Sequence, residues 1–148
     1  MTKQERINVM YKKNQQLAWA RSFLLIVMLL CVFSIQRNDW YIVGAASSLV
    51  LIGAVLSYES RFVKSLTSKN EAKQIITKQY VYDFVVILLI VFTYLLTGRL
   101  GVTWFLPVLV IGFVLAIHRI QRNLDNRLTR EDPEHPIRRD IKLSNVKD

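Results

Sequence analysis

Between Tyr80 and His118 the chain reads YVYDFVVILLIVFTYLLTGRLGVTWFLPVLVIGFVLAIH, two apolar runs separated by a glycine-containing break at Gly98, Arg99, Leu100 and Gly101. The hydrocarbon layer of a bilayer is about 30 Å thick and a helix rises about 1.5 Å per residue. A span therefore needs about 20 mostly apolar residues. Leu100 to Ile117 supplies such a length without a charge. The run before it is uncharged from Phe84 to Gly98 and reaches full length only from Tyr80, which puts Asp83 at the edge of the apolar layer. Two such runs back to back predict a membrane hairpin.

A second pair of runs lies upstream. Ala18 to Ile35 is long enough to span, with Trp19 and Arg21 at its entry, where an arginine can snorkel its head group out of the lipid. The polar residues 36–39 follow it with no small-residue cleavage pattern, so the run reads as retained and not as a signal peptide. Trp40 to Tyr58 then returns. It is rich in small residues, and Gly44/Ser48 and Gly53/Ser57 are each spaced four apart, the small-xxx-small pattern of close helix packing. Such a helix packs either within the chain or against a second copy. The expected architecture is all-α: an integral membrane four-helix bundle, one membrane domain over 1–148, built from two antiparallel hairpins. Its spans fall at about 18–35, 40–58, 80–97 and 100–117, joined by a polar connector, 59–79, and followed by a basic tail, 118–148.

Charge fixes the expected orientation. The net charge of +9 would suit nucleic acid, but the cations flank the apolar runs, a topology pattern, and nucleic acid is not read as a partner. Eighteen of the twenty Lys and Arg residues fall in the N-terminal segment, the connector and the tail; only Arg37 and Arg99 fall in the two short turns. The side with more cations is the cytoplasmic one, so both termini and the connector are expected inside the cell membrane, facing anionic lipid. Tryptophan and tyrosine residues sit at both ends of the runs, as interfacial belts require.

The hairpins share a layout. Trp40-Tyr41 and Trp104-Phe105 correspond at an offset of 64, and Arg37 and Arg99 at 62, which suggests an internal repeat. At the same offset of 62, Arg21 matches Asp83 in depth with opposite charge. Charges at a membrane edge are costly unless paired or hydrated. Three readings stand side by side: an Arg21–Asp83 ion pair that fixes the helices, independent snorkelling, and a coupling-ion or substrate site.

Downstream, Ile120, Leu124 and Leu128 fall four apart and extend an amphipathic helix through Arg130, until Pro133 and Pro136 break it and leave a mobile tail from Ile137. His118 reads as an interfacial residue at a helix end. The single cysteine, Cys31, excludes an intramolecular disulfide, a CxxC pair and a thiolate metal cluster. The sequence has no HExxH, GxSxG or phosphate-loop motif, so no catalytic residue, cofactor or metal is expected, and the chain is not read as an enzyme.

Residues Ala72 to Gln121 resemble the bacterial two-transmembrane (2TM) domain family. The likeness lies in the basic approach AKQIITKQ, the aromatic entry YVYDF, the short glycine-containing turn, and the return run WFLPVLVIGFVLAIH with Trp104, Pro107, Gly112 and His118. Asp83 stands near the position of the family's entry histidine, and Gly112 alone represents its Gly-Trp-Gly stretch. The resemblance implies an anchoring or signalling role and no particular chemistry. The expected function is that of a non-catalytic accessory, anchoring or regulatory membrane protein, working through a membrane protein partner or as a homodimer. The alternative is a small dimeric transporter or pore-former that uses Asp83.

Overall fold

A computed structural model describes residues 2–100 and 105–141, with side chains described over 2–96 and 108–141. The described residues form four long α-helices and no strand: α1 (Lys3–Ser34), α2 (Tyr41–Ser65), α3 (Asn70–Leu100) and α4 (Phe105–Glu131). A single 3₁₀ turn, Arg138–Asp140, follows them.

Local chemistry sets the helix ends. Thr2 and Glu5 form a capping box. The Glu5 amide donates to Thr2 Oγ1 at 3.3 Å and the Thr2 amide to Glu5 Oε2 at 2.9 Å, satisfying two donors that a helix start leaves open. The polar N-terminal segment is therefore helical from Lys3, a start that the Thr-x-x-Glu spacing encodes. Between α1 and α2, Asn38 Oδ1 accepts from the Trp40 amide at 3.0 Å. Between α2 and α3, Thr67 Oγ1 accepts from the Lys69 amide at 3.3 Å. α4 stops at Glu131 because Asp132 precedes Pro133, and a residue before proline is driven out of the helical region.

Buried side chains give the register. Val32 and Ile35 of α1 meet Ala45 of α2; Met28 meets Ile52 and Leu56; Met10 meets Val63. α2 therefore runs antiparallel to α1. Along α3, Ala72 and Ile76 join the Met10 cluster, Phe84 and Ile87 the Met28 cluster, and Leu95 the Val32 cluster, so α3 runs parallel to α1. α4 returns against α3, where Gln79 bonds Asp125 and, one turn on, Asp83 bonds Gln121. α1 packs along α2, α2 on α3, and α3 along α4, which leaves a cleft between α1 and α4.

At about 1.5 Å per residue, α1 is roughly 48 Å long, well beyond the apolar layer of a bilayer. Each helix has an apolar half and a polar half. In the apolar half large side chains point outward: Trp19 is 79% exposed, Val50 71% and Leu115 64%. Water does not tolerate so large a continuous apolar surface on a monomer. Three helices, Lys3–Ser34, Tyr41–Ser65 and α3 as far as Leu96, are long and apolar enough to cross a membrane. The fourth expected span, 100–117, passes through residues 101–104, which are not described, and Trp104 of the expected repeat lies there too. Gly98, Arg99 and Leu100, read as part of the break between spans, have helical backbone and continue α3.

In the polar half the four helices enclose a second core of Met10, Val63, Ala72, Ile76 and Leu128. Of the amphipathic stripe, Leu124 and Leu128 are buried, while Ile120 is exposed. The expected mobile tail is corrected for its first five residues. The chain turns back after Pro133, buries His135 and Pro136, and lays Ile137 and Ile141 on that core. Residues 142–148 lie outside the described ones.

Two small residues of α2, Gly44 and Gly53, face its neighbours in the chain. A Cβ at Gly44 would sit 2.8 Å from Cys31 Sγ of α1, and one at Gly53 would sit 3.4 Å from the Phe84 ring of α3. Ser48 is buried and Ser57 exposed. Gly44→Val is expected to destabilise by about 1–3 kcal/mol through overpacking. Cys31→Ala should return most of the loss, which a double-mutant cycle of thermal unfolding in detergent would measure.

Candidate functional site

Where the apolar half meets the polar half, charged side chains from α1, α2, α3 and the tail converge on one cavity of about 250 Å³, to which α4 adds Leu128. Arg21 comes from α1, Glu59 from α2, Tyr80 and Asp83 from α3, and Arg138 from the tail. Helical periodicity turns these residues inward. Glu59 lies three residues past the buried Leu56 and four before the buried Val63, on the same face of α2. Tyr80 and Asp83 likewise continue the face that carries Ile76 and Gln79.

The Arg21–Asp83 ion pair, one of the three readings of the sequence, is replaced by two others. Arg21 Nη1 lies 3.0 Å from Glu59 Oε2, and its Nη2 donates to Asn14 Oδ1 at 2.7 Å. Asp83 is gripped by Arg138 through two bonds, Nη1 to Oδ1 at 3.0 Å and Nη2 to Oδ2 at 2.6 Å. It also accepts from Gln121 Nε2 at 2.7 Å. A bidentate guanidinium is the stronger partner for a carboxylate, and it arrives from the tail. The Arg138 guanidinium also lies 5.5 Å from the Tyr80 ring. Burial works against its charge, but the bonds and charge of Asp83 outweigh it and raise its affinity for the proton above the ordinary arginine value. Arg21 and Asp83 nonetheless line the same cavity.

A second polar group closes the far end. Thr67 Oγ1 donates to Asp132 Oδ2 at 2.6 Å, and Arg6 Nη1 approaches the same oxygen at 3.4 Å. Lys69 Nζ donates to the Glu131 carbonyl, and Lys3 Nζ lies 2.9 Å from Asp140 Oδ2. Burial pushes the Asp132 carboxyl up, yet the Thr67 bond and the Arg6 charge overcome this and hold it below the usual carboxylate range. Asp125 behaves oppositely. Desolvation lifts its pKa, and the 2.7 Å bond from Gln79 offsets only part of that.

Buried polar atoms without a hydrogen bond are rare in folded proteins. Four side-chain atoms among the described residues are of this kind: Arg6 Nε, Ser60 Oγ, Glu59 Oε2 and His135 Nε2. The last two belong to residues that line the cavity. The contact of Glu59 with Arg21 is one of charge, without hydrogen-bond geometry. His135 Nδ1 lies 2.9 Å from the Pro136 carbonyl, which only accepts, so Nδ1 carries a proton. Nε2 is left without a hydrogen-bond partner.

A cleft of about 510 Å³ between α1 and α4 adjoins the cavity, and Arg21, Asp83 and Arg138 border both spaces. Its upper walls are apolar: Leu25, Leu56, Val86, Ile87, Val114 and Ile117. His118 lies at the lower end of the cleft, exposed and in mid-helix, since α4 runs on for more than three turns beyond it. Among the described residues, no group of three or more His, Cys, Asp or Glu side chains is placed to hold a metal ion.

Sequence reasoning found Arg21 and Asp83 but missed Glu59, Arg138 and His135. Glu59 reads in the sequence as the first residue of a polar connector, whereas the tail carried a signal in Ile137 and Ile141, an apolar pair spaced four apart among charges. Nothing in the sequence paired Arg138 with Asp83. No family model, no curated protein and no solved structure matches the chain.

Proposed function

We propose that this is a four-span membrane protein with both termini and the connector in the cytoplasm, and that it acts without catalysis as an accessory or regulatory subunit. The observation that supports this most is the second core. Four helices leave the apolar zone together and enclose Met10, Val63, Ala72, Ile76 and Leu128. The folded tail straps the assembly. Around this unit Arg61, Lys69, Lys78, Arg122, Arg127 and Arg130 stand exposed. A rigid basic platform at the inner leaflet suits contact with anionic lipid or with an acidic surface of a membrane protein partner. The resemblance to the two-transmembrane family implies the same kind of role.

The test is purification from the native host in gentle detergent, with stoichiometry of everything retained. A membrane protein held at fixed ratio, and lost when Arg122, Arg127 and Arg130 are changed together to Gln, is the expected result. A homodimer without companion that carries flux in liposomes, abolished by Asp83→Asn, would overturn the proposal in favour of a small transporter.

A further inference from the structure

We infer that the cavity and the cleft above it form one site for a single inner-leaflet phospholipid, an anionic phosphodiester lipid whose headgroup carries hydroxyls. The inference rests on the membrane topology proposed above. It adds a defined site to the general attraction of a basic surface for lipid.

Three observations carry it. The first is continuity. On α1 the cavity runs from Met10 to Arg21, roughly 16 Å, and the cleft continues from Ala18 to Leu25. A polar chamber therefore opens directly into an apolar slot at the level where a headgroup joins its acyl chains. The second is charge. The chamber is lined by three cations, Lys13, Arg21 and Arg138, and by two carboxylates, Glu59 and Asp83. Arg21 and Arg138 are taken by those carboxylates. Lys13 Nζ lies instead over the rings of Tyr58 and Phe62, 5.1 and 5.8 Å from their centres. One positive charge is left over, matching the single negative charge of a phosphodiester.

The third observation selects the headgroup. Glu59 Oε2 meets Arg21 by charge without hydrogen-bond geometry, and His135 Nε2, on a ring whose Nδ1 donates to the Pro136 carbonyl, has no hydrogen-bond partner. Their residues are 6% and 1% exposed. A ligand that satisfies them brings O–H or N–H groups into the chamber. An ammonium headgroup would add a further cation beside Arg21 and Lys13, whereas hydroxyls donate without adding charge. A trimethylammonium headgroup has no donor at all.

The probe is phosphatidylglycerol, measured as lipid retained per full-length chain by native mass spectrometry after exchange in mixed micelles. Phosphatidylcholine and phosphatidylethanol serve as competitors, the latter anionic but without headgroup hydroxyls. One lipid per chain is expected, with phosphatidylglycerol preferred about tenfold or more over phosphatidylcholine. Its preference over phosphatidylethanol should be about five- to tenfold, the worth of one or two neutral hydrogen bonds. Lys13→Gln should remove most of the preference over phosphatidylcholine. Lys12→Gln, exposed and outside the cavity, should leave it unchanged, and neither change should alter helicity.

Equal retention of phosphatidylglycerol and phosphatidylethanol would overturn the inference, because water then fills the chamber. Equal losses from Lys12→Gln and Lys13→Gln would also overturn it, while leaving intact the reading of a basic surface on anionic lipid. A chain with no preference for either anionic lipid over phosphatidylcholine would sink both the site and that surface reading.

Discussion

Arg21→Leu is expected to destabilise the fold by about 3–5 kcal/mol, the usual cost of removing one partner from a buried ion pair. The reason lies with the partner left behind. Glu59 has a side chain only 8% exposed, and Arg21 Nη1 is the cation nearest its Oε2 at 3.0 Å. Without the guanidinium, the carboxylate must stay charged in a poorly solvated place, take up a proton, or drag α2 outward. Each route costs stability. Glu59→Leu alone is expected to cost less, because Arg21 is 26% exposed, bonds Asn14 and has a stem long enough to carry its head group toward water. The double change Arg21→Leu with Glu59→Leu should recover most of the loss, since two apolar residues of suitable volume replace a pair that gains little over them. Denaturant unfolding of the four proteins in one detergent, followed by tryptophan fluorescence, gives the coupling energy. A coupling below about 0.5 kcal/mol, the value of a solvated surface pair, would mean that this junction is wet. Arg21→Leu with Asp83→Asn should show additive losses, since Asp83 answers to Arg138 and Gln121.

The contrast between those two double changes shows what the sequence carried and what it did not. Apolar run length and the clustering of cations depend only on local composition, so the apolar helices and the extension of α4 through Arg130 were legible, while the polar first half of α1 was not. Depth was legible too: Arg21 and Asp83 do border one cavity. The identity of partners was not, because a side chain's rotation about its helix depends on what its neighbours bury. Glu59 follows Tyr58 at the end of an apolar run and looks like the first residue of a solvated connector. It turns inward because Leu56 and Val63, three before and four after, are held inside. The tail shows the same limit in another form. Two prolines within EDPEHP read as the end of regular structure, and they are. An end of helix is not an end of packing, however. Proline has little backbone freedom to lose, so a short Pro-flanked segment is ordered at small entropic cost. His135 and Pro136 can therefore be buried and Arg138 delivered to Asp83.

The strap formed in this way has one principal fastening, and cutting it is the second large effect to expect. Asp132 ends α4 with its amide on the Leu128 carbonyl, while its carboxylate joins Thr67 of the α2–α3 turn and Arg6 of α1. Asp132→Ala should cost about 2–3 kcal/mol, since it removes a charge-assisted bond and leaves a buried hydroxyl and guanidinium without their acceptor. That loss falls mainly on local opening of residues 132–141. Trypsin cleavage after Arg138, which is tied to Asp83, and after Arg139, both held in the 3₁₀ turn, should accelerate roughly 30- to 150-fold when reclosing outpaces cutting. The same fastening gives the strap its pH dependence. The Asp132 carboxyl titrates below its ordinary value in the folded state. Its ionised form therefore contributes stability that is fully present above that ordinary value and is lost as pH falls through the folded one. Asp125, raised by burial, has the opposite sign: its charge costs stability above its folded value, and the cost is relieved on acidification. Asp132→Asn should thus reduce tail opening at low pH relative to neutral pH, read as hydrogen-exchange protection of residues 132–141 because trypsin is inactive in acid, since of the two opposed slopes only that of Asp125 remains. Asp125→Asn, which keeps an acceptor for Gln79, should leave the neutral rate unchanged or lower it and steepen the acid opening. A single pH slope unaffected by either change would place both carboxylates in water and remove Asp132 as the fastening.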